Sequence, residues 1–287
     1  MESKQLGQTR QAREPAGDAA TTTEHGLLGG GRRFRLDRFP PAVDLADWVE
    51  RHWVVTWELP PGRRDAATLL PHPCVNLVFD KGHLMIAGVG RERFSYALAG
   101  RGRVFGVKFR PGAFQPFLGA PVSRLTDRTV PAAEVWGGAV GGLEAALAAA
   151  PEMDEMAWAA EAFLRRRRPA PDPNVELVGK VVRALLDDRA ISRVEDVARR
   201  FGLSTRSLQR LFQRYVGVTP KWVLRRYRLH EAAARLAEGT SGTWAEVAAE
   251  LGYFDQSHFI RDFTAAVGAT PVEYATACAE GLLIVRT

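Results

Sequence analysis

Residues 196–212 read DVARRFGLSTRSLQRLF, and residues 246–263 read EVAAELGYFDQSHFIRDF. Val197-Ala198 aligns with Val247-Ala248, and Gly202 with Gly252, at an offset of 50. Leu208 aligns with Phe259, Phe212 with Phe263, Gly217 with Gly268 and Pro220 with Pro271 at an offset of 51, so the second turn holds one extra residue. Each copy is predicted to be a short helix, a tight turn and a second helix, which is a helix-turn-helix. Ala198 and Ala248 allow close helix crossing, with Phe212 and Phe263 in the core beneath. Gly202 and Gly252 stand where the turn needs a positive φ, and Ser204 and Asp255 are N-caps for the helices that follow.

In the second helix of copy one, Leu208, Leu211, Phe212 and Tyr215 form an inward stripe, while Arg206, Gln209, Arg210 and Gln213 share the opposite face. In copy two, Phe259, Ile260, Phe263 and Val267 point inward. Gln256, Ser257, His258 and Arg261 lie outward near the helix start, the end that enters a major groove. Arg and Gln are the side chains that read guanine and adenine edges with paired hydrogen bonds. One such polar face is equally well a solvated surface. Two aligned copies joined by the basic stretch KWVLRRYRLHEAAARLA, residues 221–237, favour base reading.

Charge supports this. The whole chain carries +6, yet residues 199–235 hold ten basic side chains against one acid, Glu231, leaving +9 in 37 residues. A concentrated basic face is the footprint of a polyanion binder. Ser204, Arg214, Lys221, Arg225 and Arg226 are the candidates for phosphate contact.

Helical spacing surrounds the repeat. Val175, Val178, Val181, Val182 and Leu185 mark an opening helix. Ser192 with Glu195 and Thr243 with Glu246 read as capping boxes, and Thr219-Pro220 and Thr270-Pro271 as helix starts. RRRRPAPDPN, residues 165–174, reads as a helix end running into a linker. Upstream, short alternating runs (Trp53 to Glu58, CVNLVFD, HLMIAGVG, FSYALAG, RVFGVKF) predict a small antiparallel sheet or barrel, with helices near 112–118, 143–149 and 152–168. Trp53, Trp57, Phe79, Phe105 and Phe109 are either ligand-cavity lining or plain core. The expected class is therefore α+β with two domains: a disordered tail at 1–33, a β-rich, barrel-like domain with helices at 34–168, a linker at 169–174, an all-α domain at 175–276 and an extension at 277–287.

The chain has 287 residues, 46% hydrophobic and 25% charged, as a soluble globular protein has. It has no apolar run long enough for a membrane span, and its polar first residues do not read as a secretory signal. Two cysteines, Cys74 and Cys278, argue for a reducing cytoplasm, with no disulfide framework and no structural metal site. No cofactor is expected.

Residues 175–276 resemble the DNA-binding domain of the AraC/XylS family of bacterial transcription regulators. The segments carrying the resemblance are DVARRFGLSTRSLQRLFQRYVGVTPKWVLRRYRLHEAAARLA and AAELGYFDQSHFIRDFTAAVGATPVEY. The resemblance implies seven helices and two recognition helices in adjacent major-groove segments of double-stranded DNA. It implies base reading by Arg206, Gln209 and Arg210, then by Gln256, Ser257, His258 and Arg261. Arg206 stands where some members place an aromatic. RVFGVKFRPGAFQPFLGAPVSRLTDRTVPAAEVWG, with PHPCVNLVFDKG upstream, resembles the N-terminal domain of actinobacterial-type members. That implies sensing of a small-molecule effector or formation of a homodimer. RNA polymerase is a separate expected partner, for which the second copy would be the surface if it does not read bases.

Two other classes compete with this one. Some AraC-type proteins resemble DNA-repair alkyl transferases, and His72 lies two residues from Cys74 on the same strand face. Their usual Pro-Cys-His order is absent, and CVNLVFD reads as a buried strand, so Cys74 is read as structural and no catalytic residue is assigned. A DNA architectural protein without regulation would not need the separate β-rich domain.

Overall fold

The structure, a computed structural model, describes residues 27–29, 34–239, 244–253 and 255–280. Runs with a period of two build the N-terminal half as nine strands: β1 (Leu27–Gly29), β2 (Phe34–Phe39), β3 (Val49–Glu58), β4 (Arg64–Leu69), β5 (Asn76–Asp80), β6 (His83–Ala87), β7 (Phe94–Ala99), β8 (Arg101–Phe109) and β9 (Thr129–Pro131). Six pair in the order β2-β3-β8-β5-β6-β9 and three in the order β1-β4-β7, all antiparallel. Neither sheet closes on itself, so the barrel-like expectation is corrected to two open sheets: β2 and β9 end the larger sheet unpaired with each other. The smaller sheet packs on one of its faces through Ala67 and Leu98.

The other face carries α1 (Gln115–Leu118), α2 (Ala133–Trp136), α3 (Val140–Ala149) and α4 (Met153–Arg165). Of the helix expected near 112–118, only the last turn is α-helical. Phe79, Phe105 and Phe109 are buried in the core beneath these helices, together with Phe114 and Phe163. Trp53 and Trp57 point the opposite way, toward the smaller sheet, because successive strand residues alternate faces. Each tryptophan lies over a glycine across the strand pair. A Cβ at Gly102 would come within 2.1 Å of Trp57, and one at Gly106 within 2.1 Å of Trp53, so the missing side chains make room for the indoles. The five aromatics therefore do not line one cavity.

The C-terminal half is helical: α5 (Pro173–Asp187), α6 (Val194–Arg200), α7 (Thr205–Tyr215), α8 (Pro220–Ala237), α9 (Trp244–Glu250), α10 (Gln256–Val267) and α11 (Pro271–Ala279). Two cores sit along α8. The first gathers Val178, Val181, Leu208, Phe212 and Val223; the second gathers Leu229, Ala233, Val247, Phe259, Phe263 and Tyr274. Val89 joins the first core and Leu70 the second, so the N-terminal half contributes to both. The capping box expected at Ser192 does not form. The N-cap of α6 is Arg193, without a side-chain cap. Thr243, of the other expected box, lies outside the described residues, as does most of the 1–33 tail. Leu27–Gly29, within that tail, pairs with β4, and α11 runs past residue 276. No helix among the described residues is long and apolar enough to cross a membrane.

Candidate nucleic-acid interface

The start of each second helix is fixed by its own sequence. Gly202 and Gly252 turn the chain at φ of +65° and +71°. The Ser204 hydroxyl then accepts from the Ser207 amide at 3.1 Å, and the Asp255 carboxylate accepts from the His258 amide at 2.7 Å. Leu208, Phe212 and Tyr215 anchor α7, and Phe259, Phe263 and Val267 anchor α10. The opposite faces are left outward. Arg206, Gln209 and Arg210 on α7 and Gln256, Ser257, His258 and Arg261 on α10 are all exposed.

The basic cluster divides in two. Arg206, Arg210, Arg214 and Lys221 are exposed and make no ion pair among the described residues. The arginines of α8 are committed to protein acceptors. Arg225 forks onto Asp262. Arg228 donates to the carbonyls of Ile191 at 3.0 Å and Gly252 at 3.4 Å. Arg235 pairs with Glu231 and Glu250. Arg226, read from the sequence as a phosphate contact, is corrected: it is only 4% exposed. It donates to the Arg91 carbonyl and lies 4.6 Å from the Trp222 ring centre. Burial pushes its guanidinium down to about 10, so it is a seam residue between the two halves of the chain.

That seam was invisible in the sequence. Thr126 donates to the Gly217 carbonyl at 2.6 Å, in the turn after α7. Arg93 donates to the Val267 carbonyl at 3.2 Å, at the end of α10. His72 stacks on His230 of α8 with ring centres 4.1 Å apart. The N-terminal domain thus touches both helix-turn-helix units and the helix between them. Its partners lie 91 and 174 residues apart in the first two contacts, a range at which no local spacing rule operates.

Tyr215, at the end of α7, donates to the Asp172 carboxylate at 2.5 Å and so ties the helix to the linker. Beside it a shallow groove of about 380 Å³ is lined by Asn174, Ser207, Arg210 and Arg214. Cys74 is buried, and burial pushes its thiol up to about 11, the opposite of what a nucleophilic cysteine needs. Among the described residues, no group of three or more His, Cys, Asp or Glu side chains gathers as metal ligands do.

Residues 197–277 match the family model "Helix-turn-helix domain", of the AraC type, and residues 37–131 match "Domain of unknown function (DUF6597)". No curated protein matches the chain. Among solved structures, it is similar to a transcriptional regulator with an AraC-type DNA-binding domain from Chromobacterium violaceum, at 27% identity over 35% of this chain and 91% of that one, with a TM-score of 0.31. It is also similar to the C-terminal domain of AraT, a response regulator from Geobacillus stearothermophilus, at 25% identity over 37% of this chain and 86% of that one, with a TM-score of 0.33. ToxT from Vibrio cholerae, solved with an unsaturated fatty acid bound, is similar over 82% of this chain and 97% of its own, at 11% identity and a TM-score of 0.39. The family model covers the two units whose caps, turns and outward faces are described above: the C-terminal part of the chain is an AraC-type helix-turn-helix domain, and a domain of the DUF6597 family precedes it.

Proposed function

We propose that this chain is a sequence-specific transcription regulator that reads two adjacent major-groove segments of double-stranded DNA, one with each helix-turn-helix unit. The observation that carries the reading is the pair of capped helices, α7 and α10, each anchored on one side and presenting polar side chains on the other. Arg206, Gln209 and Arg210 read bases from α7, and Gln256, Ser257, His258 and Arg261 from α10. Arg210 and Arg261 suit guanine edges, and Gln209 and Gln256 suit adenine. Ser204, Arg214 and Lys221 contact phosphates; both cations are exposed and neither forms an ion pair among the described residues.

In this reading the N-terminal domain modulates the DNA-binding domain through the seam at Thr126, Arg93 and His72. A small-molecule effector, a homodimer and RNA polymerase are the further partners it expects, and the site of action is the cytoplasm. An open groove of about 670 Å³, lined by Arg35, Trp57, Arg101 and Met153 among others, is the candidate effector site. Selection of bound duplexes from a random library, followed by titration across about 50 to 200 mM salt, tests the reading. Affinity should fall steeply, by about 0.9 log unit per log unit of salt for each phosphate contacted. Failure to enrich any sequence, or an affinity indifferent to salt, sinks it.

A further inference from the structure

Arg225 sits on α8, yet its side chain belongs to α10. Its Nε donates to Asp262 Oδ2 at 3.1 Å, and its Nη2 donates to Asp262 Oδ1 at 2.5 Å. Both carboxylate oxygens are engaged, which fixes direction as well as distance. The Asp262 side chain is 13% exposed and that of Arg225 47% exposed. The same carboxylate lies 3.6 Å from His258 Nε2, one helical turn earlier on α10. The His258 ring in turn meets Tyr253 edge to face, with centres 5.3 Å apart, and Tyr253 packs on Phe259 of the core.

The repeat makes the role specific. The residue 51 positions before Asp262 is Leu211, which packs against the first core. Copy one therefore holds that side of its recognition helix with apolar contact, where copy two uses an ion pair to the connecting helix. The Asp262 carboxylate already occupies the Nε–Nη2 edge of Arg225, the edge on which a phosphate would be held by a fork, and offsets its charge.

We propose that Arg225 is a positioning residue: clamped on Asp262, it fixes the roll of α10 and so the presentation of His258 and Arg261, and it does not neutralise a phosphate. The proposal rests on the DNA-binding reading for its effect on selectivity. The clamp itself does not. A half-exposed ion pair adds little to overall stability, so the loss belongs in recognition and local order.

The test compares the full chain with Arg225→Ala, Arg225→Lys, Asp262→Ala and the double alanine variant on the selected site. Arg225→Ala and Asp262→Ala should each weaken binding by between about 5- and 150-fold, relax selectivity only at the base pairs read by α10, and leave the salt slope unchanged. The double variant should be no worse than either single one, because both remove one interaction. Arg225→Lys, which keeps the charge and loses the fork, should resemble Arg225→Ala. Amide hydrogen exchange without DNA should quicken in α10 and stay unchanged in α7 for the same variants. The proposal is overturned if Arg225→Ala weakens all sequences alike and lowers the salt slope by about one, if Asp262→Ala binds as the unaltered chain does, or if exchange in α10 does not change. Should the unaltered chain select no sequence, the DNA-binding reading falls, and hydrogen exchange still decides the clamp.

Discussion

Copy one seats Arg206, Arg210, Arg214 and Lys221 where copy two, 51 residues on, seats Ser257, Arg261, Ala265 and Val272. Four exposed cations face one. The caps, turn glycines and buried aromatics of the two units match closely, so the difference lies in chemistry and not in architecture. The basic cluster that marks this chain belongs to copy one and the connecting helix, and the connecting helix spends its arginines on protein contacts. In the proposed reading copy one is therefore the electrostatic anchor. Copy two, with Arg261 as the one cation at these four positions and Val272 54% exposed, would in that reading contribute through base edges and through how α10 is held.

The largest effects should come from the cores, where the copies are alike. Phe212→Ala and Phe263→Ala each remove a fully buried ring and should each cost about 3–5 kcal/mol in denaturant unfolding. Equal losses keep the two units equivalent as folded bodies. A much smaller loss for Phe263→Ala would show that copy two collapses onto its cavity or is held mainly from outside.

Next come the reading side chains. Arg210→Ala and Arg261→Ala should each cost about 1–3 kcal/mol on the preferred site and relax selectivity at different base pairs. Quantitative binding to single-base variants of that site is the check. If Arg261→Ala changed neither affinity nor selectivity, copy two would be a structural or partner-facing unit.

The smallest expected difference between the two copies lies in salt dependence. Arg214→Ala and Lys221→Ala should each lower the slope of log affinity against log salt by about one, uniformly across sequences. Val272→Lys, which gives copy two the cation that copy one has at the matching position, should raise the slope by a similar amount. An unchanged slope in the Val272→Lys variant would place that turn away from the backbone and unbalance the equivalence of the two units.

What the sequence made legible was local. Ser204, Asp255, Thr219 and Thr270 cap the helices they precede, because capping joins residues two or three apart. Period-two alternation placed β3, β5, β6 and β8, and parity alone already puts Trp57 and Val54 on opposite faces. Pairing was out of reach. Trp57 meets Gly102 only because β3 and β8 are neighbours across some fifty residues of chain. The same limit hid the burial of Arg226: its place on α8 looked like that of Arg225, and only the docking of the segment around Arg91 separates them. Ser192 failed as a cap because α6 begins one residue later than the Ser-x-x-Glu spacing requires.

In the proposed reading, two units read two segments on one face of the duplex. Selection of bound DNA from a random library by the unaltered chain, by the Arg210→Ala variant and by the Arg261→Ala variant tests it most directly. Two blocks of fixed sequence are expected, centred about one helical turn, roughly 10 base pairs, apart, with Arg210→Ala relaxing base pairs in one block only and Arg261→Ala base pairs in the other only. A single block, or two blocks that both vanish with either substitution alone, would contradict it.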